Sequence, residues 1–128
     1  MIRSINLSLD FSTINEWWKS YNKTELNQRL LPNNGEDGLV AVVDNKIIAA
    51  VFMFKTNSPV WYCDFLVADP NYRKEIIINL IDSAVQTCFD NGAEAAWCTT
   101  PYDSVLEKLK DLNYIIGDKK HNIIYKLK

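Results

Sequence analysis

The chain has 128 residues and a mass of 14.8 kDa, with 48% apolar and 23% charged residues. This size and composition predict one folded domain over residues 1–128, with enough apolar residues for a core and no case for disorder. A net charge of −2 lacks the positive excess that binding to a phosphate backbone needs, so nucleic acid is not expected as a partner.

The apolar segments argue against membrane insertion and export. The longest apolar run, residues 47–54, is eight residues long, whereas a membrane-spanning helix needs about 20. The first ten residues lack the charged start and the apolar block of a secretion signal. The three cysteines are odd in number and lie inside apolar segments, which is typical of reduced core thiols: Cys63, Cys88 and Cys98. We expect a cytoplasmic protein without membrane contact.

The first third of the chain contains one strand pattern and two helix patterns. Polar and apolar residues alternate over residues 2–9, which predicts the first strand. Thr13 and Glu16 have the spacing of a capping box, and an apolar stripe follows them, so a helix is predicted over residues 13–22. A second, short helix is predicted over residues 24–31.

A meander of three strands is predicted after a turn-rich loop at residues 32–38. Residues 39–43 and 46–56 are rich in β-formers, and the Asp-Asn pair between them tolerates the left-handed conformation of a tight hairpin turn. Residues 60–67 form the fourth predicted strand. Strands two to four are therefore expected to run antiparallel to one another.

The last part of the chain begins with the main helix. Apolar residues recur every three or four positions over residues 72–91, and Gly92 ends this pattern. The strand predicted at residues 94–99, which carries Trp97, should lie parallel to strand four because a long helix connects them. Thr100 is a candidate cap for a further helix. A terminal hairpin is predicted from residues 114–116 and 122–127.

Three short strings carry a family resemblance. Residues 40–50 form a hairpin in which a short polar turn with a lysine precedes a buried strand, and residues 67–73 read Val-Ala-Asp-Pro-Asn-Tyr-Arg. Residues 112–114 read Leu-Asn-Tyr. Their sequences and spacing resemble the GNAT superfamily of N-acetyltransferases over nearly the whole chain. The resemblance implies an α/β (α+β) fold in which helices flank a mixed, mostly antiparallel sheet of about six or seven strands. It also implies a V-shaped opening between strands four and five.

The resemblance implies a site for acetyl-CoA. In this superfamily, backbone N–H groups of a glycine-containing loop at a helix N-terminus hold the pyrophosphate. Ile76 and Ile78 stand here at the two glycine positions; directed at the sheet they are compatible with the cofactor, but lying across the loop they would block it. Arg73 and Lys74 either pair with phosphates or form the solvated first turn of the helix. The implied cofactor-binding residues are Leu66, Val67, Ala68, Arg73, Lys74, Ile76, Ile77 and Ile78.

Two residues are candidates for proton transfer. Asp64 interrupts an apolar run, where an ionised carboxylate needs a partner or a raised pKa. It is either a general base for the acceptor amine or a strand aspartate that faces solvent. Many family members place an acidic tyrosine late in the fourth helix, and that position corresponds to Leu109. Tyr102 is the nearest phenol that could replace it.

Two functions remain open at this stage. The first is an N-acetyltransferase in which a small-molecule or peptide amine attacks acetyl-CoA directly, and a homodimer is compatible with it. The second is a non-catalytic GNAT-like binding module with a degenerate cofactor loop. The pair Trp17-Trp18 is expected in the core rather than in an acceptor pocket. Cys98 would need a base to act as an acyl-accepting nucleophile, and His121 is far from it in the sequence, so a Cys-His pair has little support. No Cys/His spacing predicts a metal site.

Overall fold

The structure is a computed structural model that describes residues 1–100 and 102–117, and the secondary structure in these ranges consists of five strands and three α-helices. The strands are β1 (Ile2–Ser4), β2 (Gly38–Val43), β3 (Lys46–Phe54), β4 (Val60–Ala68) and β5 (Ala95–Cys98). The helices are α1 (Leu7–Asn22), α2 (Lys74–Asp90) and α3 (Leu106–Asp111). Short 3₁₀ turns occur at Gln28–Leu30, Pro32–Gly35 and Asp103–Val105.

The five strands lie side by side in chain order in one mixed sheet. The first three pairs are antiparallel, and β5 runs parallel to β4 because α2 carries the chain back across the sheet. Asp44 and Asn45 have φ values of 50° and 63°, which is the left-handed geometry of a tight hairpin turn. The predicted fold class, the hairpin and the parallel crossover are confirmed. Within the described residues the sheet has five strands.

Helices cover both faces of the sheet. Val51 of β3 belongs to the same core cluster as Ile77 of α2, whereas the next residue, Phe52, belongs to the cluster that contains Ile14 and Trp17 of α1. This double burial explains the long apolar run in β3, since both faces of the strand are inside the protein. The described residues contain no helix with the length and apolar character needed to cross a membrane.

The start of the chain differs from the prediction, since β1 ends at Ser4 and α1 begins at Leu7. Leu7, Phe11 and Ile14 also have helical spacing, so residues 7–9 are compatible with both a strand and a helix. Asp10 stabilises the helix, because its carboxylate accepts the Asn6 N–H at 2.8 Å and pairs with Arg3 of β1 at 2.7 Å. The predicted capping box therefore lies inside α1.

Three other segments depart from the sequence expectations. The helix predicted over residues 24–31 is wrong except for one 3₁₀ turn, because the Leu26 N–H donates to Asn15 Oδ1 of α1 at 2.7 Å. The helix predicted from Thr100 begins later, with a 3₁₀ turn at Asp103–Val105. Residues 114–116 are not in a strand, and the strand predicted at residues 122–127 lies outside the described residues.

Candidate active site

Strands β4 and β5 separate beside the last pair that they share, Cys63 with Cys98. β4 continues to Ala68, whereas β5 ends at Cys98. Among the described residues, no strand pairs with residues 64–68 of β4 on the β5 side. The wall of this opening is formed by three buried residues: Leu66, Val67 and Ala68. The opening predicted between strands four and five therefore has a backbone edge without a partner strand among the described residues.

A β-bulge at Phe65 shapes the opening. The β3–β4 register shifts there, and Phe65 has a φ of 55°, in the left-handed region. This conformation costs a non-glycine residue about 1–2 kcal/mol. Its ring packs against Trp18 and Phe54, with centroids 5.0 and 5.8 Å away. These contacts hold the bulge, which bends β4 where it leaves β5.

Asp64 lies at the mouth of the opening and is half-buried. Its Oδ1 accepts the Thr99 hydroxyl at 2.6 Å and the Phe65 N–H at 2.7 Å. Its Oδ2 has no hydrogen-bond partner in the described part of the chain. One carboxylate oxygen is thus fixed across the two strand ends, and the other is free to accept a proton from a ligand.

Tyr102 follows the end of β5 and is buried. Its hydroxyl donates to the Tyr21 hydroxyl at 3.3 Å, and its ring centroid lies 4.5 Å from that of Tyr72. Burial, followed by the bond with Tyr21, raises the pKa of Tyr102 well above its ordinary value, and the Ala68 backbone N–H opposes this in part. The phenol therefore keeps its proton at neutral pH. Leu109 is a core residue.

The N-terminus of α2 presents open backbone donors. Arg73 precedes the helix without a side-chain cap, and the Ile76 and Ile77 N–H groups donate to its carbonyl at 3.0 and 3.3 Å. The Lys74 and Glu75 N–H groups have no acceptor among the described residues. Since the positive end of the helix dipole lies here, an anion is favoured at this point.

The three isoleucines of the first turns of α2 are directed into the core. Ile77 is fully buried and Ile78 is 8% exposed. Ile76 is half-buried and packs against the same cluster. All three side chains therefore contribute to the packing of this core cluster.

The cysteines form a compact group without metal-ligand geometry. The Sγ atoms of Cys63 and Cys88 are 3.7 Å apart, and the contact with Cys88 together with burial raises the pKa of Cys63. All three cysteines are free thiols, and Cys98 is half-buried. The described residues contain no group of three or more potential metal ligands. His121 lies outside the described residues.

Asp64 and Tyr102 were predicted from the sequence as candidates for proton transfer, but the side chains that hold them were not predicted. Thr99 and Tyr21 are the hydrogen-bond partners. Asp64 and Thr99 are brought together by the β4–β5 register, and Tyr102 and Tyr21 by the packing of α1, so no local pattern identifies either pair. The exposed pair Tyr62 and Trp97 was also missed, although Tyr62 lies two residues before Asp64 and Trp97 two residues before Thr99, and strand alternation could have indicated it.

Solved structures with this fold are numerous. A Mycobacterium tuberculosis protein in complex with CoA is 15% identical, with a TM-score of 0.66 over 86% of this chain and 70% of that one. An aminoglycoside acetyltransferase from an uncultured soil metagenomic sample, in complex with sisomicin, is 17% identical (TM-score 0.68, 100% and 96% covered). Glucosamine-6-phosphate N-acetyltransferase from Arabidopsis thaliana is 14% identical (TM-score 0.69, 98% of both chains).

These identities establish the fold alone. The comparison with curated proteins gives no sequence match. The sequence model of the acetyltransferase (GNAT) family matches residues 5–107, which include β2–β5, the bulge, Asp64, Tyr102 and the start of α2. Because this match spans most of the chain and agrees with the fold, the chain belongs to the acetyltransferase (GNAT) family.

Proposed function

We propose that the protein transfers an acetyl group from acetyl-CoA to an amine by direct attack of the amine on the thioester. One observation carries this proposal: the unpaired end of β4 leads from Asp64, at the mouth of the opening, to the open N-terminus of α2. A free strand edge can pair with amides, and an open helix N-terminus can hold phosphates.

The residues of this chain fit CoA in two places. The backbone of Leu66, Val67 and Ala68 would pair with the amides of the pantetheine arm. The N–H groups of Lys74 and Glu75 would bind the pyrophosphate, because they are open while those of Ile76 and Ile77 are used within the helix. The Arg73 side chain is exposed and would add a charge-assisted contact.

The chemistry requires the acceptor ammonium to lose two protons and the departing sulfur to gain one. Acetyl-CoA supplies an activated acyl group: the amine lone pair forms a C–N bond with the carbonyl carbon, and the C–S bond breaks. The free Oδ2 of Asp64 would accept the proton that the ammonium must lose, directly or through water. The protonated Tyr102 hydroxyl would donate to the departing sulfur, for which it must leave Tyr21. The attacking nitrogen would lose its second proton as the C–S bond breaks, which would restore the Tyr102 hydroxyl through water, and the proton on Asp64 would pass to solvent. The products are an N-acetylated amine, CoA as its thiol and one proton.

The inward packing of the isoleucines favours this proposal over the non-catalytic module. The module was expected if Ile76 and Ile78 lay across the cofactor loop, whereas Ile78 belongs to the core cluster and Ile76 packs against it. Their packing accounts for the absence of glycine at these positions without loss of the open donors at Lys74 and Glu75.

Thiol release from acetyl-CoA in the presence of a panel of primary amines tests the proposal. Asp64→Asn should lower kcat/KM by about 10²–10⁴, the usual contribution of a general base. Calorimetry should show unchanged CoA binding in that variant. Asp111→Asn is the matched control, since Asp111 is an exposed acid on α3. No heat on adding CoA, and no thiol release with any amine, would refute the proposed function.

A further inference from the structure

We propose that the acceptor is a primary amine with an aromatic or flat apolar body, and that it binds on the exposed sheet surface beside Asp64. This inference rests on the proposed function and names its substrate class. We call the surface the acceptor face and define it by four residues on adjacent strands: Tyr62 and Asp64 of β4, Trp97 of β5 and Thr99 directly after it.

The four residues of the acceptor face form two neighbouring cross-strand pairs. Tyr62 is paired in register with Trp97, and their rings meet edge to face with centroids 6.1 Å apart at 74°. One step further along both strands, the Thr99 hydroxyl donates to Asp64. Residues two positions apart on a strand share a face, so the aromatic pair and the polar pair are neighbours.

Both rings of the aromatic pair are exposed. Trp97 is 65% exposed and Tyr62 is 43% exposed, whereas Phe52, opposite Asp64 on the same face, is fully buried under α1. Large exposed apolar groups next to a polar site indicate a ligand-binding surface. Tyrosine and tryptophan also present rigid rings that lose little entropy when a ligand stacks on them.

The charge of the acceptor face selects a cation. Asp64 supplies a carboxylate whose Oδ2 is unpartnered among the described residues. Lys55, at the end of β3, is directed to the opposite face, where its Nζ lies 5.3 Å from the centre of the Trp61 ring. The faces of Tyr62 and Trp97 attract cations as well. An ammonium group at Asp64 is therefore favoured, and an anionic acceptor is disfavoured.

The spacing of the strand fits one class of amine. Two residues along a strand cover about 6.6 Å, which a linker of two carbons between a ring and an ammonium can span. Such a ligand would stack its ring on Trp97 and Tyr62 while its ammonium reaches Asp64, where the proposed deprotonation takes place.

Calorimetric titration of the full chain with phenethylamine tests the inference directly. Ethylamine, which lacks the ring, and 2-phenylethanol, which lacks the charge, should each bind at least tenfold more weakly. Trp97→Ala should weaken phenethylamine binding at least tenfold, and Asp64→Asn should make phenethylamine and 2-phenylethanol bind alike. Phe89→Ala is the matched control because Phe89 is exposed to the same extent as Tyr62, 43%, but lies on α2. It should change binding less than twofold, with thermal unfolding monitored for all variants.

The outcomes separate this inference from the proposed function. Equal binding of ethylamine and phenethylamine, or an unchanged affinity in Trp97→Ala, would overturn the inference. A homodimer in solution that Trp97→Ala dissociates would overturn it too, since a second copy would then cover the aromatic pair. CoA binding measured in the same samples reports on the proposed function alone: if CoA binds and the amine preference is absent, only the inference fails.

Discussion

Replacement of Arg3 by methionine would remove the contact that fixes the start of α1 on the sheet. Arg3 binds Asp10 through two hydrogen bonds of 2.7 and 2.9 Å, and the Asp10 side chain is only 4% exposed. Breaking a fully buried ion pair on one side costs about 3–5 kcal/mol. The Arg3 side chain is 34% exposed and Asp10 keeps its bond from the Asn6 N–H, so we expect Arg3→Met to lower the free energy of unfolding by about 2–3 kcal/mol at pH 7.

Urea denaturation at several pH values tests the sign of this effect. The hydrogen bond from Arg3 lowers the pKa of Asp10 against the opposing effect of burial. The ion pair therefore stabilises the wild type above the unfolded pKa, about 3.9, and this stabilisation is lost as the pH falls through the folded pKa. Without Arg3, burial raises that pKa, so the deficit of the variant should shrink below about pH 4. Lys19→Met is the control, since Lys19 pairs with exposed Glu16 at 3.4 Å and its loss should change little. A deficit independent of pH would refute the reasoning.

Three further predictions concern packing, the cofactor and the acid. Gly38→Ala would place a Cβ 2.9 Å from the buried Phe52 ring, so the free energy of unfolding should fall by about 1–3 kcal/mol; an unchanged denaturation midpoint would contradict this. Arg73→Ala should raise the KM for acetyl-CoA about tenfold with kcat unchanged, and added salt should reduce the difference; a fall in kcat alone would be inconsistent with phosphate binding. Because the pKa of Tyr102 is raised, the wild-type rate should not decline through phenol ionisation up to about pH 10, and Tyr102→Phe should lower kcat at least about tenfold. An unchanged kcat in that variant would remove the acid role.

Local chemistry explains which elements could be predicted from the sequence. The hairpin turn at Asp44 and Asn45 depends on two residues that tolerate a positive φ, and the parallel crossover depends on the length of α2, so both were correct. The start of α1 depends on an ion pair between Arg3 and Asp10, two residues whose contact follows from the packing of α1 on β1. A pattern of alternating residues cannot contain that information, and the first strand was therefore predicted too long.

The residues of the candidate site also differ in whether local sequence could indicate them. Asp64 became a candidate because a carboxylate in an apolar run is conspicuous, and Arg73 because it belongs to a recognisable string. The contact of Asp64 with Thr99 and the pairing of Tyr62 with Trp97 depend on the register between β4 and β5. That register is set by α2 and the loop after it. It therefore cannot be read from the sequence of either strand.

An amide-resolved NMR titration with CoA tests the central claim most directly. The account predicts saturable chemical-shift changes at Leu66, Val67 and Ala68 and at the N–H groups of Lys74 and Glu75, with smaller changes at Ile76 and Ile77, whose N–H groups already have an acceptor. The absence of shifts at millimolar CoA, or shifts confined to residues away from β4 and the start of α2, would contradict it.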